Sequence, residues 1–155
     1  MSVEILYLVD NREKTTGAKR NELLSTASGL FTVFVDDDDD IPPYYINEII
    51  KPLEARHSEI DCIGFFGEYY ENGKRGRDFI HSNRFGVYAT SRTHFLRPPN
   101  HLNPIRREIA KKFFFQDVVM GEDSDWSMRI AKSGLLKREY YVGRGPMYYY
   151  YYKHK

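Results

Sequence analysis

The sequence has one cysteine, Cys62, among 155 residues. That excludes an internal disulfide framework and a zinc site built on several thiolates, and it suits a reducing compartment. Excess charge is also lacking: 23 Lys and Arg face 22 Asp and Glu, a formal net charge of +1. A chain so balanced is not a general polyanion binder, and nucleic-acid affinity would have to come from a local patch. No stretch approaches the ~20 apolar residues needed to cross a bilayer. The start, Met1–Asn11, has no basic region and its apolar run is broken by Glu4, so it does not read as a signal peptide. These absences point to the cytoplasm, or to that of an infected cell if a virus encodes the chain.

What is present is a globular composition of 41% apolar residues, at a length that suits one domain. Aromatics are abundant: 13 Tyr and 10 Phe, with Tyr148–Tyr152 unbroken. Such rings stack sugars or bases, or alternate between core and rim along a strand.

Val3–Val9 predicts a buried strand ending at Asp10-Asn11. Thr15-Thr16 offers an N-cap for a helix through Leu23, Leu24 and Ala27 that ends at Gly29. Leu30–Val35 predicts a second buried strand. It runs into Asp36–Asp40 and then Pro42-Pro43, which opens a helix with Ile46, Ile49, Ile50 and Leu53 on one face. Strand, helix, strand, helix is the pattern of a parallel sheet with covering helices, whose ligands sit beyond the carboxyl ends of the strands. Asp10 and Asp36 both fall on that rim.

In the second half, Ile60–Tyr70 and Asp78–Ala89 predict strands joined by an Asn72-Gly73 turn. Asn103-Pro104 predicts the start of a helix through Phe113. Another helix begins near Gly121, carries Trp126 and Ile130, and stops at Gly134. Strands near Arg138–Val142 and Met147–Tyr152 finish the chain. There is no repeat and no linker.

Five adjacent carboxylates at a strand end repel one another by roughly 4 kcal/mol per pair at ~4 Å. In extended geometry Asp36, Asp38 and Asp40 would face one way and Asp37 and Asp39 the other. An alternate pair suits a hard divalent cation, Mn²⁺ or Mg²⁺, ions that also bridge diphosphates. A solvated acidic loop is the other reading of such a run.

With its neighbours the run becomes specific. Gly17-Ala18-Lys19-Arg20-Asn21, then Ala27-Ser28-Gly29, then Phe34-Val35-Asp36-Asp37-Asp38-Asp39, resembles the G-x-K-R-N helix, small-residue break and D-x-D strand of family 2 glycosyltransferases. Gly121-Glu122-Asp123-Ser124-Asp125-Trp126 and Arg129 resemble that family's E-D motif at the head of a helix. The resemblance implies a GT-A, Rossmann-like α/β fold: a mixed sheet flanked by helices in one minimal domain. Residues 1–58 would form its nucleotide and metal half, and 59–155 its acceptor half.

It further implies an enzyme that moves a sugar from a nucleotide-diphosphate donor, foremost a UDP-sugar, to an acceptor hydroxyl with inversion. Asp38 would be the main metal ligand, and Asp36 would touch the ribose or the metal's waters. Asp10 would meet the uracil edge, Asp37 would stand on the nucleotide-sugar side, and Lys19 and Arg20 would hold phosphate charge. Asp123 would be the catalytic base, favoured in its ionised form by the helix dipole. Around it, Glu122, Trp126, Arg129 and His101 would support the site or the acceptor. Trp126 reads equally as core, and Arg129 as a partner of Asp125. His154 lies where some GT-A enzymes supply a histidine to the metal.

Family members usually open with a further strand and helix ahead of Val3–Val9, so a sheet edge is left for a partner, and a homodimer is expected. Compact viral genomes encode pared-down enzymes of this sort. Two other readings stand beside the transferase. One is a sugar-nucleotide or glycan-binding module without turnover. The other is a nucleic-acid binder or modifier using Lys74, Arg75, Arg77, Arg106, Arg107, Lys111 and Lys112, which the near-zero net charge weighs against.

Overall fold

The structure is a computed structural model that describes residues 1–154. Among these, nine strands and four α-helices form a mixed α/β domain, and no helix is long and apolar enough to cross a membrane. The common strand is β2 (Cys62–Glu71), whose first half, Cys-Ile-Gly-Phe-Phe, is almost wholly buried. It pairs in parallel with β8 (Glu139–Val142) and β9 (Tyr149–Tyr152). Its antiparallel neighbours are β3 (Lys74–Arg75), β4 (Asp78–His81) and β7 (Ile105–Arg106). The sheet continues from β4 to β6 (His94–Arg97) and β5 (Ala89–Thr90), and from β7 to β1 (Phe31–Thr32). Asn72 and Gly73, at φ of 50° and 80°, make the tight β2–β3 turn that the Asn-Gly pair predicts.

The predicted helix after Thr15 is α1 (Thr16–Thr26), and the Thr15 hydroxyl accepts from Ala18 N–H at 3.1 Å as its N-cap. The Pro-opened helix is α2 (Tyr45–Arg56), with Ile49 and Leu53 buried. The helix expected near Gly121 is α4 (Glu122–Ser133), closed by Gly134 at φ 69°.

Five sequence expectations are corrected. Val3–Val9 forms no strand: no main-chain hydrogen bond reaches it among the described residues, and Ile5, Tyr7 and Val9 are exposed. Of Leu30–Val35 only Phe31–Thr32 is a strand, because its ladder partner β7 is itself two residues long and Phe34 N–H goes to the His101 carbonyl. The opening of the chain therefore contributes no parallel pair, and most of the pairings are antiparallel. Asp78–Ala89 splits into β4, a loop and the first residue of β5, with β6 unforeseen. The helix predicted from Asn103 is the short strand β7 followed by one turn, α3 (Arg107–Ala110). Asn103 does not cap it. Its amide is buried, receives Asn100 N–H, donates to Ile63 C=O and meets His81 Nδ1 at 2.9 Å.

Two apolar clusters hold the domain. One joins α2 to the sheet through Tyr45, Leu53, Ile63, Phe65, Val142 and Tyr148. The other joins Leu24 of α1 to Phe115, Trp126 and Ile130 of the α4 side. Gly17 makes that second approach possible: a Cβ there would lie 1.7 Å from the Gln116 carbonyl oxygen. Thus the 1–58 half and the 59–155 half interlock, and α1 arrives beside the N-terminus of α4.

Candidate active site

The G-x-K-R-N segment distributes its side chains around one rim. Asn21 makes paired bonds with the Phe115 backbone, at 2.9 and 2.8 Å, which lock α1 in place. Lys19 Nζ lies 3.3 Å from Asp10 Oδ1, and Asp10 also accepts from Lys14 N–H. Arg20 is buried, with its guanidinium near the Phe34 and Phe115 rings. It donates to Asp36 Oδ1 at 2.8 Å and its other nitrogen lies 3.4 Å from Glu122 Oε1. That second contact is an ion pair without hydrogen-bond alignment, since Arg20 Nη1 has no hydrogen-bonded partner among the described residues.

His101 completes the line. It is 3% exposed, with Nε2 at 3.2 Å from Asp36 Oδ2 and Nδ1 at 3.8 Å from Asp123 Oδ2. Nδ1 has no hydrogen-bonded partner of its own among the described residues. One imidazole therefore spans the start of the D-x-D segment and the head of α4. Its loop is fixed from behind: Phe34 N–H donates to His101 C=O at 2.9 Å, and neighbouring Asn100 and Asn103 are buried.

The aspartate run is a turn, not an extended strand, so the expected alternation of its side chains is corrected. Asp39 N–H donates to Asp36 C=O at 3.2 Å, placing Asp37 and Asp38 at the exposed tip. The ends of the turn are engaged. The buried Tyr148 hydroxyl receives Asp36 N–H at 3.1 Å and donates to Asp39 Oδ2 at 2.8 Å. Asp39 Oδ1 also accepts from Tyr151 N–H, and Asp40 pairs with Tyr149 through the backbone in both directions. Tyr148 is a residue the sequence reading missed. A buried hydroxyl needs a partner, and an aspartate-rich turn elsewhere in the chain supplies one.

The electrostatics divide the run. Burial alone would raise the Asp36 carboxyl, but the His101 contact and the Arg20 charge outweigh it and hold Asp36 down at about 2. Asp39 goes the other way. Burial pushes it up to about 6, with the charges of Asp38 and Asp36 adding, against hydrogen bonds from Tyr151 and Tyr148 that pull it down. Burial likewise raises Glu122, and the Arg20 charge counters this.

For Asp39, a folded pKa above the unfolded one means that the folded state binds more protons between about pH 4 and 6. Its contribution to stability is present below that window and is lost as pH rises through it. Asp39→Asn, which mimics the protonated acid, is thus expected to raise the melting temperature at pH 8 and to leave it unchanged at pH 4. Thermal melts without divalent metal, at steps across that range, check the sign.

The remaining candidates are placed as follows. Trp126 is 2% exposed, stacks on Phe115 at 4.5 Å and donates to Phe113 C=O, so no ring face is open to an acceptor. Arg129 pairs with Asp125 at 2.8 Å. His154 lies on the β2–β3 turn, with Nε2 at 2.8 Å from Glu71 and its N–H donating to Asn72 Oδ1. Among the basic residues, Arg75 is paired with Asp78 and Glu68, while Arg106 and Arg107 donate to backbone carbonyls, which breaks up the cluster. Among the described residues no group of three or more His, Cys, Asp or Glu is arranged to hold a metal ion.

Comparison with solved structures finds the same fold in S. aureus TarS. The TarS 1–349 complex with UDP-GlcNAc superposes with a TM-score of 0.63 at 15% identity, over 95% of this chain and 42% of that one. The complex of the same segment with UDP gives 0.61 at 19% identity, over 89% and 40%. A longer TarS structure gives 0.61 at 18% identity, over 90% and 25%. The chain thus spans about two fifths of TarS 1–349, and the likeness establishes a GT-A fold. No curated protein matches in sequence. Residues 2–118 match the sequence model of glycosyl transferase family 2. That match takes in the G-x-K-R-N helix, the aspartate turn and His101, well over half of the chain, and the protein belongs to glycosyl transferase family 2.

Proposed function

We propose that this protein transfers a sugar, with inversion, from a nucleotide-diphosphate sugar to an acceptor hydroxyl. The observation that carries the reading is the continuous line Arg20–Asp36–His101–Asp123, assembled from four separate stretches of sequence. It sets a donor-side carboxylate and a helix-head carboxylate on either side of one buried imidazole. Family membership supports the reaction class, and the UDP-GlcNAc and UDP complexes of TarS support a UDP-sugar as donor.

Asp123 heads α4, where the helix dipole favours its ionised form. Its Oδ1 is held by Ser124 N–H at 2.8 Å, leaving Oδ2 to take a proton from an acceptor hydroxyl. As the acceptor oxygen bonds to the anomeric carbon, the bond to the leaving diphosphate breaks. The proton ends on Asp123 and the electron pair on the diphosphate. Asp10 and Lys19, joined at the rim, would meet the base and the phosphate side.

A divalent cation fits the aspartate turn. Asp37 and Asp38 stand exposed at its tip with no side-chain partner among the described residues, and the charges of Asp38 and Asp36 add to burial in raising Asp39. Two carboxylates, with diphosphate oxygens and water, are enough for Mg²⁺ or Mn²⁺, which rarely takes an all-protein cage. Asp38, with Asp36 or Asp37 beside it, would hold the ion. When bound, it would neutralise charge on the departing diphosphate.

The test is nucleotide release from a panel of sugar nucleotides, with and without Mn²⁺. Asp38→Asn is expected to weaken metal-dependent donor binding by about tenfold or more, the effect of losing one charged ligand at ~1.4 kcal/mol or above. No release from any donor, despite metal-dependent binding, would favour a binding module over an enzyme.

A further inference from the structure

One member of the row Tyr148–Tyr152 has a hydroxyl that the fold leaves free. Tyr150 stands on β9, two residues on from Tyr148 and on the same face of the extended chain. Its main chain is tied to the aspartate turn from both sides. Tyr149 pairs with Asp40 through the backbone, and Tyr151 N–H donates to Asp39 Oδ1 at 2.8 Å. The Tyr150 ring is half-buried and stacks on Tyr69, with centroids 5.7 Å and planes 13° apart. Tyr69 in turn meets Phe95 edge-on at 5.5 Å. The ring is therefore held in place by its neighbours.

Its hydroxyl differs from those around it. Tyr44 donates to Pro146 C=O, Tyr70 to Glu68 and Tyr148 to Asp39. Tyr150 has no such partner among the described residues, although carboxylates surround it. Burial, then the charges of Asp39, Asp123, Asp36 and Asp38, push its phenol up to about 12. Charge thus reaches it from the aspartate turn and from the head of α4 alike.

A half-buried phenol beside carboxylates ordinarily donates to one of them. Here they are committed elsewhere. Asp39 receives Tyr148 and Tyr151, Asp36 receives Arg20 and faces His101, and Asp123 Oδ1 receives Ser124 N–H. The Tyr150 proton is left over. Carboxylates can only accept, so they bind a sugar through its hydroxyl protons. A neutral phenol supplies the opposite role and donates to a sugar oxygen.

We propose that the Tyr150 hydroxyl donates a hydrogen bond to an oxygen of the sugar carried by the nucleotide, and so helps to select which sugar is transferred. This rests on the transferase reading above, which places the sugar between the aspartate turn, on the diphosphate side, and Asp123. UDP ends at its diphosphate and does not reach Tyr150, whereas a UDP-sugar does. A sugar whose oxygen is turned away leaves the phenol unpaired, which is how such a donor discriminates.

The test is calorimetric titration of the full chain, with Mn²⁺, against UDP, UDP-GlcNAc, UDP-glucose and UDP-galactose. Tyr150→Phe removes a hydroxyl without a protein partner and keeps the stack on Tyr69, so the melting temperature should hold. Affinity for the best-bound UDP-sugar should fall about three- to tenfold, the loss of one neutral hydrogen bond, with UDP affinity unchanged. The spread of affinities among the three sugars should narrow. A second measurement keeps the hydroxyl: fluorotyrosine in place of Tyr150 should show a fluorine resonance that the UDP-sugar moves and UDP does not. A merely structural role would weaken UDP and UDP-sugars alike. That result, an unchanged UDP-sugar affinity, or a resonance that UDP moves as far would overturn this inference alone. Binding of none of the four would overturn the donor reading, and this inference with it.

Discussion

Asp123→Asn is expected to lower sugar transfer by about 10²–10⁴-fold, the range that one positioned base contributes, while donor affinity stays within about twofold of the parent. The two effects separate because Asp123 touches neither Lys19 nor Asp10 and meets the donor side only through His101, at 3.8 Å. Asparagine keeps the shape and can still accept Ser124 N–H, but it cannot take a proton. Asp125→Asn is the matched control. It sits in the same first helical turn, yet its carboxylate is committed to Arg129 and lies outside the Arg20–His101 line. Turnover measured at saturating donor, beside donor titration by calorimetry, checks both halves. Full turnover in Asp123→Asn would remove Asp123 from the role of base.

Arg20→Met is expected to be the most destabilising of the single changes considered, at about 3 kcal/mol, the lower end for stranding a buried charge. Arg20 and Glu122 have side chains only 9% and 6% exposed, so the glutamate would be left without a cation in an apolar setting. Asp36 is less affected, since it is 27% exposed and keeps His101. For a domain of this size that loss corresponds to a fall in melting temperature of roughly 6–12 °C.

The loss should depend on pH. Without Arg20 the Glu122 carboxyl, already raised by burial, rises further. A folded pKa above the unfolded one is a stability contribution lost as pH increases, so the penalty should be larger at pH 8 than at pH 5. Adding Glu122→Gln should recover part of the stability at pH 8 and little at pH 5. Chemical denaturation of the two single variants and the double, at both pH values, gives the coupling directly.

The family and the fold class were legible in the sequence because each rests on local pattern. The Gly17–Asn21 motif, the aspartates after an apolar run and the acidic head of α4 are short-range signals, and the structure explains several of them by simple contacts. Gly17 allows the approach to Gln116, Asn21 locks the Phe115 backbone, and Arg20 joins Asp36 to Glu122. Trp126 was ambiguous between platform and core, because a large ring one turn into a helix reads the same either way until its neighbours are known.

What only the tertiary structure decided depends on residues far apart in the chain. Asp36–Asp39 is a turn because Tyr148, more than a hundred residues on, ties Asp36 N–H and Asp39 together with one hydroxyl. His101 gains its place from two carboxylates on separate elements, and no spacing in the sequence encodes that meeting. Val3–Val9 has every local mark of a strand and is not one, since a strand exists only when a neighbour takes its hydrogen bonds. Composition and motif thus determined which groups this protein carries. Long-range pairing and burial decided which carboxylates are held, which stand free at the tip of the turn, and which strand is left without a partner.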